Sequence, residues 1–109
     1  MELNEYQAEA LRTSGGFEAE KPEFRLLTSA LSLCGEAGEF GNDVKKMIRH
    51  GHVISPEYLA EELGDVLWYI ADLATVLGFT LDDIAQRNVE KLRARYPSGF
   101  SCEASRNRQ

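Results

Sequence analysis

Two carboxylate couplets, Glu36-Ala37-Gly38-Glu39 and Glu62-Leu63-Gly64-Asp65, lie inside stretches that otherwise read as buried helix. Residues three apart share a helix face on successive turns, so each couplet can present two carboxylates to one point. Two such helices supply four oxygen ligands from Glu36, Glu39, Glu62 and Asp65. An all-oxygen set suits a hard cation such as Mg²⁺ or Mn²⁺; Mg²⁺ keeps several waters and takes substrate phosphates as remaining ligands. The chemistry suggested is therefore phosphate chemistry. Glu61 adjoins Glu62 and precedes Asp65 by one turn, which makes it a further ligand or a base that orients water. Asp43 and Asp72 extend the two clusters at helical spacing, but surface positions fit them equally well. Burying so many like charges without a cation would be very costly, so these acids either face water or hold metal.

A matching set of cations and an amide lies downstream, where Asn88, Lys91 and Arg95 fall on one helical stripe. Amide, ammonium and guanidinium together suit a polyphosphate. The plainer reading is a basic helix end complementing the helix dipole. An isolated Glu-x-x-Glu is also ordinary on a solvated helix face. Here, however, the couplets are flanked by Leu31, Leu33, Cys34 and Phe40, and by Val66, Leu67, Trp68, Tyr69 and Ile70. Gly35, Gly38, Gly41 and Gly64 thread the same segments, each at about 0.5–1 kcal/mol relative to alanine. Such costs suggest close approach by a helix or a ligand. His50 and His52 flank a linker glycine where they could touch substrate, but without further soft ligands they make a poor transition-metal site. Trp68, Tyr69 and Phe79 read as core or subunit interface. Walker loops, zinc-protease helices and nucleophile elbows are absent from the sequence.

The elements needed to position these groups are four helices: about Leu3 to Arg12, Pro22 to Arg49, Pro56 to Leu77, and Leu81 to Arg95. Ser14-Gly15-Gly16 punctuates the first. Ser55-Pro56-Glu57 starts the third with a cap, a first-turn proline and an acid, and Gly78 ends it. Thr80-Leu81-Asp82-Asp83 caps the fourth, and Pro97 and Gly99 stop it. The tail from residue 97 to 109 has no apolar period and is expected to be flexible or held by a neighbouring subunit. Short connections between long amphipathic helices favour an all-α antiparallel four-helix bundle, with its core over about residues 22 to 96.

With 109 residues the chain forms one domain, 1–109, small enough that part of its apolar surface calls for a partner subunit. Hydrophobic residues at 43% exclude wholesale disorder, and a net charge of −6 argues against a nucleic-acid or membrane-surface binder. Cys34 and Cys102 sit in dissimilar settings, and no run of about 20 apolar residues or signal-peptide core is present, so a reduced, cytoplasmic protein is expected.

The order Glu-x-x-Glu, 22 residues, Glu-x-x-Asp, then Asn-x-x-Lys-x-x-x-Arg resembles the MazG-like nucleotide pyrophosphohydrolases of the all-α NTP pyrophosphatase superfamily. The strings GEAGEF, EELGDVLWYI and NVEKLRARYPSGF carry the resemblance over about Leu26 to Phe100. It implies Mg²⁺-dependent cleavage of a nucleoside triphosphate between its α- and β-phosphates, giving the monophosphate and pyrophosphate in a house-cleaning role. By position it implies Glu36, Glu39, Glu62 and Asp65 as metal ligands, with Glu61 binding metal or orienting water. Lys91 and Arg95 would hold phosphate oxygens, and Asn88 would contact phosphate or sugar. It further implies a homo-oligomer, a tetramer ahead of a dimer, in which the site borrows residues from a neighbour. Related readings are a pyrophosphatase for dUTP or phosphoribosyl-ATP, and a catalytically silent oligomerisation module. Base contacts would come from a neighbour or from Asn4, Tyr6 and Gln7 in the first helix.

Overall fold

A computed structural model of the chain describes residues 1–16 and 19–107 and is helical throughout: α1 (Leu3–Leu11), α2 (Pro22–His50), α3 (Pro56–Leu77), α4 (Leu81–Arg95) and a short α5 (Cys102–Arg106). The all-α class and the four long-helix boundaries agree with the sequence reading to within a residue. The tail differs, because Ser101 Oγ accepts from Ala104 N–H and starts one further turn of helix; its last two residues lie outside the described ones. Among the described residues, no single helix is long and apolar enough to cross a membrane.

The expected start and stop signals act as local chemistry requires. Ser55 Oγ accepts from Tyr58 N–H at 3.1 Å ahead of Pro56. Gly78 closes α3 with φ at +84°, a left-handed conformation that costs a side-chain-bearing residue more than it costs glycine. Two residues on, Thr80 and Asp83 form a reciprocal capping box that restarts the chain as α4.

That corner decides the architecture. α2 and α3 form a long antiparallel hairpin, but α4 departs from α3 at 95° and packs chiefly on α1 and the end of α3. One chain therefore provides an antiparallel helix pair with a cross-arm, and does not by itself close the four-helix bundle that short connections favour. The sequence revealed the break at Gly78 but not its angle, which is held by contacts from α1. Gln7, buried in α1, donates to Thr75 Oγ1 at 2.9 Å and to Phe79 O at 3.1 Å, and accepts from Leu81 N–H at 2.7 Å. Asn4 Oδ1 accepts from Asp82 N–H at 3.0 Å. Two first-turn amides of α4 are thus capped from a helix more than 70 residues away, and Arg87 lies over the Phe79 ring at 4.7 Å. Replacing Gln7 by Ala is expected to cost about 1–3 kcal/mol, because buried backbone groups lose their partners. A urea unfolding curve at fixed protein concentration measures it.

The core is thin. Among the described residues the buried apolar side chains are Ala10, Ala71, Ala74 and Leu81, with Tyr6, Trp68 and Ile70 packed against them. The radius of gyration is 17.0 Å, where a compact chain of this length measures about 13 Å. Leu27, Leu31, Leu63 and Ile48 are each more than half exposed.

Candidate functional site: an acid cluster between the paired helices

The α2–α3 hairpin sets acidic residues against each other in antiparallel register. Glu36 lies near Glu39 on its own helix and Asp65 on α3, and burial followed by these two charges pushes its carboxyl above the ordinary range. Glu62 is buried at 6% exposure, and its Oε1 has no hydrogen-bond partner. Burial first, then contact with Asp43 and the charges of Glu39 and Glu36, push the Glu62 carboxyl up to about 7. Tyr58, one turn before Glu62, has its phenol raised by Glu62, Asp43, burial, Glu39 and Glu61. The Tyr6 phenol is raised by burial and by Asp65. The four expected ligands thus gather around one seam, with Glu61 exposed at its edge.

Beside Glu36 and Asp65 the surface opens into a cleft of about 390 Å³ whose other walls are Thr13, Ser14, Trp68 and Tyr69. Trp68 Nε1 donates to Ala10 O at 3.0 Å and Thr13 Oγ1 at 2.8 Å, and its ring meets Tyr69 edge-on at 5.0 Å. The end of α1 is thereby sewn to α3 next to the acids, and Trp68 serves both the core and the cleft wall.

The structure decides two acids that the sequence left open and gives two first-helix residues another role. Asp43 joins the cluster through Glu62. Asp72 is no surface acid: at 1% exposure it receives Ser29 Oγ at 2.6 Å and Arg25 Nε at 3.1 Å. Gln7, with Asn4, is spent on capping α4, leaving Tyr6 as the first-helix candidate that faces the acids. Spacing could not find Tyr58 or Thr13, whose relevance depends on which turns of α2, α3 and α1 meet.

Asn88, Lys91 and Arg95 stand on the α4 cross-arm, and neither cation ion-pairs with a carboxylate among the described residues. The hairpin therefore gathers the acids without gathering the cationic stripe. The helical glycines tell a similar story: a Cβ at Gly35, Gly38, Gly41 or Gly64 would meet nothing within 4 Å, so tight packing inside this chain does not explain them.

The donor chemistry fits a hard divalent cation. A buried, unpartnered carboxylate oxygen surrounded by other carboxylates lacks the positive charge that would make its ionised form stable. Among the described residues, no three His, Cys, Asp or Glu side chains form a ready-made cage. An ion that completes its sphere with water and phosphate oxygens does not require one.

This environment gives the metal-free protein a pH signature. Glu62 titrates at about 7 in the folded chain against 4.5 for an ordinary glutamate, so between these the folded state holds the extra proton. Its contribution to stability is fully present below the lower value and is lost as pH rises through the upper one. In the presence of chelator, the Tm of wild type should fall relative to that of Glu62→Gln between about pH 5 and about pH 8. A difference that stays flat would remove the buried-carboxyl assignment.

Residues 24–100 match a family model described as the MazG nucleotide pyrophosphohydrolase domain. The chain is also similar to the Gene 37 protein of Mycobacterium phage L5, 44% identical over 82 residues covering 72% of each chain. No solved structure matches. The matched span contains both couplets, the Arg25–Asp72 pair and the whole α4 stripe. On that coverage, the chain belongs to the MazG nucleotide pyrophosphohydrolase domain family.

Proposed function

We propose that this protein is a Mg²⁺-dependent nucleoside triphosphate pyrophosphohydrolase that converts a (d)NTP to the (d)NMP and pyrophosphate, clearing the cytoplasmic nucleotide pool. The observation that carries the reading is the buried, unpartnered Glu62 Oε1 amid Glu36, Glu39 and Asp43, in a chain of this family. Glu36, Glu39, Glu62 and Asp65 would hold Mg²⁺, with Mn²⁺ as a substitute. When bound, the ion neutralises phosphate charge and lowers the pKa of a coordinated water.

The chain's own residues supply the rest. Glu61, exposed at the rim, orients the attacking water and accepts its proton. Asn88, Lys91 and Arg95 provide directional donors for the polyphosphate, worth most when its negative charge is greatest. The cleft walled by Trp68, Tyr69, Thr13 and Ser14 offers aromatic faces and hydroxyls beside the acids for the nucleoside end. No side-chain nucleophile is needed, because water attacks phosphorus directly.

The whole chain acts as one catalytic domain within a homotetramer, with a homodimer as the smaller alternative. The open shape, exposed leucines and uncovered glycine faces favour a second copy against the hairpin, completing a four-helix bundle between chains. A cross-arm from a neighbour would then bring the Lys91 stripe toward the acids.

A nucleotide panel assayed for metal-dependent pyrophosphate release tests the reading and identifies the base. Silence across the panel would favour an oligomerisation module, and response to dUTP or phosphoribosyl-ATP alone would reassign the substrate. Lys91→Ala is expected to raise KM about tenfold or more with helicity unchanged. A change confined to thermal stability would return Lys91 to a role at the helix end.

A further inference from the structure

We propose that the buried Arg25–Asp72–Ser29 cluster is a positioning device that fixes the sliding register of α3 on α2 and so decides which carboxylates face each other. Its consequence for metal binding rests on the functional reading above; the register itself does not. Ser29 and Asp72 are 0% and 1% exposed. Asp72 Oδ2 accepts Ser29 Oγ–H at 2.6 Å, and its carboxylate takes Arg25 Nε at 3.1 and 3.3 Å together with Arg25 Nη2. Both oxygens of an α3 carboxylate are thus held by directional donors from α2.

The pairing recurs by heptads along the hairpin. Ser29 meets Asp72; seven residues on in α2 and seven back in α3, Glu36 faces Asp65; another such step pairs Asp43 with Tyr58. The acid site therefore lies two turns from the cluster on the same seam. The buried apolar α3 positions are Ala71 and Ala74, whose small surfaces read position weakly, and the facing acids repel one another.

A slip of one heptad in either direction costs Asp72 its donors. Sliding α3 one heptad toward the C-terminus of α2 would set Asp72 against Glu36 and Asp65 against Asp43, all like charges. Sliding the other way would bring Asp65 to Ser29 and Arg25 in its place but carry the buried Asp72 to Pro22, whose ring nitrogen has no N–H to donate. A buried charge pair often adds no net stability over an apolar pair of similar volume, but a polar group at a helix seam is a well-attested means of fixing register.

Apolar replacement separates these roles. In a Cys34→Ser, Cys102→Ser background, spin labels at Asn42 and Leu77, diluted with unlabelled protein, report the intrachain distance between α2 and the end of α3. Wild type should give one narrow distance. Arg25→Met with Asp72→Leu should keep its helical circular dichroism yet give a broadened or second distance, since one heptad of slip moves α3 by about 10 Å. Mn²⁺ binding to the same variant, read by electron paramagnetic resonance, should weaken about tenfold or more. A double variant that keeps the single wild-type distance overturns the proposal. If it does not fold, Asp72→Asn decides in the same way: a second distance supports the lock, and an unchanged one removes it. Wild type that binds no Mn²⁺ would instead defeat the metal reading, with the distances still deciding the register.

Discussion

Glu62→Gln is expected to lower metal-dependent pyrophosphate release by roughly 100-fold or more while leaving the metal-free fold intact. The size follows from the role: outer-shell partners of metal ligands are commonly worth 10–100-fold, and a direct ligand should exceed them. Glutamine keeps the shape of the side chain but offers a neutral amide where an anion is needed. The same substitution removes a buried charge that Asp43, Glu39 and Glu36 oppose, so the chelated protein should be no less stable than wild type near pH 8. Loss of activity with retained or improved stability distinguishes a ligand from a structural residue. Glu39→Gln, at an exposed position, should show the same activity loss. Full turnover in either variant would remove the metal assignment from that carboxylate.

Asp72→Ala is expected to destabilise the protein by about 3–5 kcal/mol, because it removes the buried carboxylate that both the Arg25 guanidinium, at 12% side-chain exposure, and the Ser29 hydroxyl bond. Domains of this kind have about 5–15 kcal/mol in total, so the variant would stand near the limit of folding. Urea midpoints at matched protein concentration measure the cost, the concentration being fixed because assembly also contributes to apparent stability. A loss under about 1 kcal/mol would mean that the pair is more solvated than its burial implies.

These two sites differ in how much the residue pattern disclosed. The couplets were readable because three-residue spacing on a helix is a local property and four acids in apolar helices call for a cation. Helix boundaries were readable for a similar reason: Ser55-Pro56, Gly78 and Thr80 act through groups two to four residues away. Asp72 was not readable, since its burial depends on Arg25 and Ser29 lying opposite it across the hairpin, 47 and 43 residues away in sequence. Gln7 was misassigned for the same cause; its partners lie 68 to 74 residues downstream. The position of the Lys91 stripe was hidden at a third level. Periodicity places Asn88, Lys91 and Arg95 on one face, but the 95° turn before α4 decides what that face can reach.

The molecule divides the labour between local and long-range bonds. Local chemistry at caps and couplets builds the helices and their acids. A small set of long-range polar bonds, from Gln7, Trp68 and Asp72, then fixes how the helices meet. Little apolar burial within one chain supports them, which is why association is part of the proposed active state.

Phosphorus NMR of a deoxynucleoside triphosphate incubated with the intact protein, with Mg²⁺ and then with chelator, tests the central claim most directly. Monophosphate and pyrophosphate should appear together with Mg²⁺ and stop when it is removed. Diphosphate with orthophosphate, or product formation that survives chelation, would contradict it.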